Sequence, residues 1–213
     1  MKSRLKLIYL TTNAMMLWFA LVLQFVISTQ GYMADGRSLA GALIEILSFF
    51  TIQTNLLIAI ALSAILLVPR SRWGRFFGQT SVLTAIAVYI LIVGLVYAVV
   101  LKGIWQLQGL FKLADVLLHE VSPVIFLLYW LFFVPKEKLR WSLLFPWAIF
   151  PLLYLVYSLL RGAVTGGYPY PFINVAKLGY GQVMINSGGV LVVFLVFGAL
   201  LIGVSRSMAD SIK

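Results

Sequence analysis

The feature that most constrains this chain is a series of six apolar stretches, each long enough to cross a bilayer as a helix. The hydrocarbon core of a membrane is about 30 Å thick, and a helix needs about 20 apolar residues to span it. The stretches lie at residues 7–28, 44–68, 80–101, 114–134, 142–160 and 180–204. We therefore predict an all-α, polytopic membrane protein whose six transmembrane helices form one bundle and one domain, residues 1–213.

The composition excludes a soluble protein. The chain is 62% hydrophobic and only 10% charged, and its mean hydropathy is +1.04, whereas soluble domains carry about 25% charged residues. There are no cysteines, which excludes disulfides and thiol chemistry. With one histidine, a zinc site would depend on carboxylates, so we expect no metal and no cofactor.

The basic residues predict the orientation of the spans. Most of the 16 lysines and arginines lie before the first span, between the second and third, between the fourth and fifth, and after the sixth. The positive-inside rule then places both termini in the cytoplasm and the loops 29–43, 102–113 and 161–179 outside. This even spread is not the single basic patch of a nucleic-acid-binding protein. The compact chain suggests a bacterial inner (plasma) membrane.

The fourth apolar run carries the only histidine, His119, between two acids. An ionisable side chain at the bilayer centre costs at least about 2.5 kcal/mol, which marks it as a functional candidate. Asp115 lies four residues before His119 and would orient the imidazole, whereas Glu120 points about 100° away and is the weaker partner. Pro123 lacks the N–H that would bond to the carbonyl of His119, so the backbone is loosened there. The alternative is a histidine that only hydrogen-bonds between helices.

The second apolar run holds small polar side chains in the segment SFFTIQTNLL, residues 48–57. Ser48, Thr51 and Asn55 are spaced three and four residues apart, so one continuous helix would place them on the same face. Thr54 lies beside this stripe and Gln53 on another face. The structural alternative is hydrogen bonding between membrane helices, a common use of such residues.

The predicted topology brings these two candidates to the same depth. Spans two and four both run from outside to inside, and Thr51 and His119 lie at nearly equal distances from the outer ends of their spans. A hydroxyl and an imidazole at one depth would form a nucleophile–base pair if the two helices touch. Periodicity alone does not place those helices in contact.

The last outer loop is rich in aromatic residues and prolines, in the segment GGYPYPFINVAKLGYG, residues 166–181. Tyr168, Tyr170 and Phe172 at this level form either an interfacial aromatic belt or a cap over a cavity between helices. Under the second interpretation they would line a substrate pocket.

Three patches together resemble a known family. The segments FFTIQTNLL, LLHEVSPVIFLLYW and YPYPFI are similar in order and spacing to those of the androgen-induced protein family and its prokaryotic six-span relatives. Mammalian members are multipass threonine hydrolases that cleave fatty acid esters of hydroxy fatty acids. The resemblance implies that Thr51, after two phenylalanines, is the nucleophile and that His119, ahead of the span proline, is the catalytic histidine.

Under that resemblance the function is intramembrane hydrolysis of a lipid ester. His119 would take the proton of Thr51, Asp115 would orient the imidazole, and Asn55 would stabilise the oxyanion from the next turn. Ser48 and Glu120 would support the site. The expected partner is a membrane lipid or a lipid-like ester, and the oligomeric state is not predicted.

Two alternatives to an enzyme remain at the level of sequence. A small transporter or lipid-binding protein would use His119, Asp115 and Glu120 to relay protons or hold a head group. A structural membrane protein would use the polar stripes only to join helices.

Overall fold

The computed structural model describes residues 2–104 and 106–211, and in that part of the chain every regular element is a helix. Six of the described helices are long and apolar enough to cross a membrane. They span Arg4–Ala34, Phe50–Leu67, Thr80–Leu101, Gly109–Phe133, Trp141–Thr165 and Val175–Asp210. The prediction of an all-α integral membrane protein with six spanning helices is confirmed.

The α-helices are numbered in chain order: α1 Lys2–Ala34, α2 Leu39–Leu47, α3 Phe50–Leu67, α4 Arg72–Phe77, α5 Thr80–Val96, α6 Gly109–Val116, α7 Ser122–Phe133, α8 Leu144–Thr165 and α9 Val175–Asp210. Two π-helical turns extend or interrupt them, the first at Tyr97–Leu101 and the second at Leu117–Val121. Short 3₁₀ turns lie at Trp141–Leu143 and Pro171–Ile173.

The predicted start of the second span, residue 44, is wrong. A separate helix, α2, is capped by the Ser38 hydroxyl, which accepts from the amide of Gly41, and it ends at Leu47. Phe49 is extended, with φ −84° and ψ 128°, so the spanning helix α3 begins at Phe50. Apolar composition continues across the break, and hydropathy therefore does not reveal it.

Other predicted boundaries also shift by five or six residues, at the ends of the first and fifth spans, at the start of the fourth and at both ends of the sixth. The helix of the first span continues six residues past the predicted end, to Ala34, before the left-handed Gly36 turns the chain. The last helix begins at Val175, capped by Asn174, and is interrupted at Gly179, where φ is 73° and ψ is 160°. Both changes extend spans into segments with more polar residues, because a helix satisfies its own backbone hydrogen bonds beyond the apolar core.

The π-helical turns lie in the third and fourth spans and adjoin each other. The second turn is marked by a hydrogen bond from the amide of Ser122 to the carbonyl of Leu117, five residues earlier. Gly94, just before the first turn, packs on Pro123: a Cβ at this glycine would lie 3.1 Å from the proline side chain and 3.6 Å from the carbonyl oxygen of His119. A glycine here allows the two spans to approach closely at the histidine.

The helices divide into two compact units, Met1–Lys136 and Glu137–Lys213. In the first unit α1 packs against α3, α3 against α5, α5 against α7, and α7 against α1, so the four spans close on themselves. The second π-helical turn contacts α1, α3 and α5. His119 therefore lies on a segment that faces three other spans. The prediction of a single domain stays a prediction.

The second unit is a helix pair, α8 packed against α9, with the Pro171–Ile173 turn on α9. Gly166, in the left-handed conformation at φ 72°, ends α8. At the other end, the Ser205 hydroxyl donates to the carbonyl of Glu137 at 2.8 Å, and Arg206 donates to the carbonyl of Leu139 at 2.9 Å. These bonds tie the start of the unit to the end of α9.

Candidate functional site

The carboxylate of Asp115 and the imidazole of His119 contact each other in the fourth span. The Oδ1 atom of Asp115 lies 3.1 Å from Nδ1 of His119, and the backbone carbonyl oxygen of Asp115 lies 3.0 Å from the same nitrogen. Asp115 is buried, and the side chain of His119 is 20% exposed. The predicted pairing of these two side chains is confirmed.

The surroundings of His119 decide which nitrogen carries the proton. Both groups near Nδ1 are acceptors, a carboxylate oxygen and a carbonyl oxygen. Hydrogen-bond satisfaction therefore assigns the neutral ring the Nδ1–H tautomer, in which Nε2 has the free lone pair. A histidine in this state accepts a proton at Nε2, as a general base must.

Sequence reasoning missed a third member of this cluster, Tyr97. Its hydroxyl donates to Oδ2 of Asp115 at 2.5 Å. Its ring stacks on the imidazole of His119, with centroids 4.5 Å apart and planes 17° from parallel. A tyrosine in a largely aliphatic span was the available signal, because a buried phenol needs a hydrogen-bond partner.

Asn55 joins the second span to the fourth at the level of the histidine. Its Nδ2 atom donates to the carbonyl of Thr51 at 2.9 Å and to the carbonyl of Leu118 at 3.1 Å. In the i→i+5 register of the π-helical turn, the carbonyl of Leu118 would face the nitrogen of Pro123, which has no hydrogen. The asparagine supplies the donor that the proline lacks.

This geometry argues against the predicted oxyanion role of Asn55. Both N–H groups of its amide are used by the carbonyls of Thr51 and Leu118. Both partners are acceptors, so the amide orientation is fixed and Oδ1 is the atom without a hydrogen-bond partner among the described residues. A carboxamide oxygen cannot stabilise an oxyanion. Asn55 is better described as a brace between the two helices.

Thr51 lies in the first turn of α3, as the second residue after the extended Phe49. It is 5% exposed. The first turn is where the helix dipole favours negative charge, which suits an ionising hydroxyl. Thr54 is completely buried and its hydroxyl has no partner in the described chain, so it is a poorer candidate for attack on a substrate.

Ser48 does not belong to the predicted stripe. It is the C-cap residue of α2, its hydroxyl donates to the carbonyl of Ile44 at 2.6 Å, and it is fully buried. Because the chain breaks between Leu47 and Phe50, helical spacing does not relate Ser48 to Thr51. The serine has a capping role at the break that leads into α3.

The remaining acid, Glu120, has a different partner from His119. Its Oε1 lies 3.1 Å from Nζ of Lys102 at the end of the third span. On the neighbouring turn, Nζ of Lys112 lies 3.8 Å from Oδ2 of Asp115. Each acid near the histidine thus has a lysine beside it, and Asp115 is the acid that contacts the imidazole.

The aromatic residues of the last loop pack within the second unit. The rings of Tyr170 and Phe172 stack with centroids 5.4 Å apart, and Tyr154 of α8 lies 6.5 Å from Tyr170. Tyr168 covers Gly162, where a Cβ would come within 2.1 Å of the tyrosine ring. The carbonyl of Phe172 accepts from the Asn186 amide at 2.8 Å. Their role in a substrate pocket stays a prediction.

Comparisons with known proteins give no assignment. A scan against family models, a search of curated proteins and a search of solved structures each found no match.

Proposed function

We propose that this protein is an intramembrane hydrolase of lipid esters, with Thr51 as the nucleophile and His119 as the general base. The observation that carries the proposal is the Asp115–His119 pair, in which the Nδ1–H is held and Nε2 is left as the proton acceptor. The asparagine bridge supports it, because Asn55 binds the carbonyls of Thr51 and Leu118 together and so brings the threonine and the histidine segments side by side.

In the acylation step, Nε2 of His119 takes the hydroxyl proton of Thr51 as its oxygen attacks the ester carbonyl. The new C–O bond forms, and the tetrahedral intermediate collapses by breaking the ester bond. The imidazolium returns its proton to the leaving alcohol. Asp115 holds the ring and stabilises its transient positive charge. The position of Thr51 in the first turn of α3 favours the negative charge that develops there.

In the deacylation step, a water molecule replaces the alcohol. Nε2 of His119 takes one proton from the water, and the resulting hydroxide attacks the acyl-threonine. The bond between the acyl carbon and the threonine oxygen breaks, the threonine recovers a proton from the imidazolium, and the free acid leaves. Both steps use Nε2 of His119 as the proton acceptor, so both require the Nδ1–H tautomer of the neutral ring.

The substrate class follows from the location of the site and from the family resemblance. The cluster lies on membrane-spanning helices, so a substrate with acyl chains would enter from the bilayer. Fatty acid esters of hydroxy fatty acids are the first candidates, because mammalian members of the family that this chain resembles cleave them. With cytoplasmic termini and a bacterial inner membrane, the site would draw on the outer leaflet.

The experiment measures ester hydrolysis by purified protein in detergent over a panel of long-chain lipid esters. Wild type should turn over at least one ester, and Thr51→Val and His119→Ala should lose about 10³-fold or more in kcat. A fluorophosphonate probe should label wild type and not Thr51→Val. Thr54→Val is the matched control, since it removes a hydroxyl one turn away on the same helix and should keep activity.

Folding of each variant is checked by its unfolding temperature in the same detergent. The proposal fails if Thr51→Val hydrolyses esters at the wild-type rate, or if wild type turns over no ester while a known membrane esterase works in the same micelles. In the latter case the competing function, lipid binding or proton-coupled transport through Asp115, His119 and Glu120, becomes the one to measure.

A further inference from the structure

Tyr97 contacts both members of the Asp115–His119 pair at the same time. Its hydroxyl binds the carboxylate oxygen that faces away from the imidazole, Oδ2, while Oδ1 faces Nδ1 of the ring. Its own ring lies flat on the imidazole. One side chain from the third span therefore restrains two groups of the fourth span.

Each contact limits a different motion. An Asp carboxylate can rotate about its terminal torsion, which has broad minima, unless both oxygens are bound. An imidazole can turn by about 180° about its own terminal torsion, which exchanges the positions of its ring nitrogens and carbons. A stacked aromatic ring blocks that turn, because the imidazole would sweep through the space that the phenol occupies.

We propose that Tyr97 is a positioning residue that keeps Nε2 of His119 as the proton acceptor. Its hydroxyl fixes the carboxylate and its face fixes the imidazole plane, so that Nδ1–H stays directed at Asp115. The catalytic part of this proposal rests on the hydrolase function above. The structural part, a single ring orientation and a single tautomer, does not depend on any activity.

The other charged groups near the ring are few and are paired. Glu120 is bound by Lys102, and Asp115 has Lys112 beside it. The second span meets this turn through the neutral Asn55. The first helix has no titratable side chain between Leu10 and Gly31. The imidazole itself contacts Asp115 and Tyr97.

The chain offers an unusually clean test, because His119 is its only histidine. Protein labelled with ¹⁵N-histidine and purified through a histidine-free tag gives ring nitrogen signals from one residue. At a pH where the ring is neutral, wild type should show a protonated Nδ1 and an unprotonated Nε2. Tyr97→Phe, which keeps the stacking, should preserve this pattern, and Tyr97→Leu should give shifts averaged between two tautomers.

The kinetic test separates positioning from packing. With an ester that wild type hydrolyses, Tyr97→Phe should lower kcat by about tenfold and Tyr97→Leu by about 10²-fold, with KM changed less than twofold, because only the transition-state geometry is affected. The Tyr97→Phe variant should thus keep part of the kcat that the Tyr97→Leu variant loses. Tyr129→Phe removes the hydroxyl of a buried phenol in the fourth span, three turns after His119, and should change neither the spectrum nor kcat.

The outcomes distinguish the two proposals. If Tyr97→Leu keeps a single Nδ1–H tautomer, Tyr97 does not position the ring, whatever the esterase assay shows. If the tautomer changes as expected but wild type hydrolyses no ester, the positioning role stands and the hydrolase function falls. If wild type, Tyr97→Phe and Tyr97→Leu have equal kcat, and Tyr97→Leu differs only in a lower unfolding temperature, then Tyr97 contributes packing and has no positioning role.

Discussion

The two units of this protein use polar residues in opposite ways. In an apolar window of 18 residues, the four spans of the first unit are 39%, 56%, 61% and 33% buried in chain order, whereas the two spans of the second unit are 11% and 22% buried. Most of the buried polar side chains of the described chain lie in the first unit, among them Thr51, Asn55 and Asp115. In the second unit, Ser205 near the end of α9 bonds to the carbonyl of Glu137, and Asn186 within α9 bonds to the carbonyl of Phe172.

The difference in burial bears on where polar side chains can find hydrogen-bond partners within the membrane. Lipid offers no hydrogen bonds, so a polar side chain within a span needs a partner in the protein, either on its own helix or on a neighbouring one. Four spans that close on themselves provide several neighbours for such a side chain, and a pair of helices provides only one. The cluster of Asp115, His119 and Tyr97 accordingly lies in the first unit.

The sharpest test of this comparison is Asp115→Asn in the first unit. Tyr97 would keep donating to the amide oxygen, which turns the amide N–H toward Nδ1 and favours the wrong tautomer. We expect kcat for ester hydrolysis to fall by about 10²-fold to 10⁴-fold. The steady-state rate on the best ester measures this, and a fall of less than threefold would remove Asp115 from the mechanism.

The next largest effect is expected for Asn55→Ala, which removes the bridge between the second and fourth spans. The carbonyl of Leu118 would be left buried without a donor, at a cost of about 1–3 kcal/mol. Unfolding followed by tryptophan fluorescence in detergent should show a lower midpoint, and kcat should fall as the threonine and histidine segments separate. Unchanged stability would mean that the bridge is not needed to join the spans.

Gly162→Ala tests the packing of the loop aromatics in the second unit. Its new methyl group would overlap the ring of Tyr168, so the tyrosine must leave its place, at a cost of about 1–3 kcal/mol. If the loop aromatics line the substrate pocket as predicted, KM should rise while kcat stays near wild type. A change in kcat with constant KM would instead give the second unit a part in the chemistry.

The smallest effect is expected for Asp210→Asn at the end of α9. Its carboxylate lies 2.6 Å from Nζ of Lys138, and both side chains are more than half exposed. Exposed ion pairs contribute at most about 1 kcal/mol, so the free energy of unfolding should change by less than that and hydrolysis not at all. This variant is also the charge-matched control for Asp115→Asn, and a large loss of activity in it would contradict the contrast between the two units.

The sequence predicted the spans and the Asp115–His119 pair for good physical reasons. Spans follow from the length of apolar runs, and a pair four residues apart needs only helical geometry. The break at Phe49 was not predictable in this way, because the residues on both sides are apolar and no proline or glycine marks it. Ser48 was misplaced for the same reason.

Contacts between spans were beyond what a single sequence contains. Periodicity gives the face of a helix and not its neighbour, so the stacking of Tyr97 on His119 and the bond from Asn55 to Leu118 could not be derived. The oxyanion role assigned to Asn55 followed from its spacing to Thr51. The structure shows that the same spacing serves a backbone bond, which leaves no N–H for a substrate.

The π-helical turn at Leu117–Val121 makes the fourth span one residue longer than an α-helix would need over the same path. Deleting a single residue from this turn would restore the α register without breaking the helix. Everything before the deletion would then rotate by about 100° relative to α7, which would carry Asp115 away from Tyr97. The contacts among Tyr97, Asp115 and His119 thus depend on the one extra residue of the π-helical turn. A single deletion in this turn would break them without any substitution.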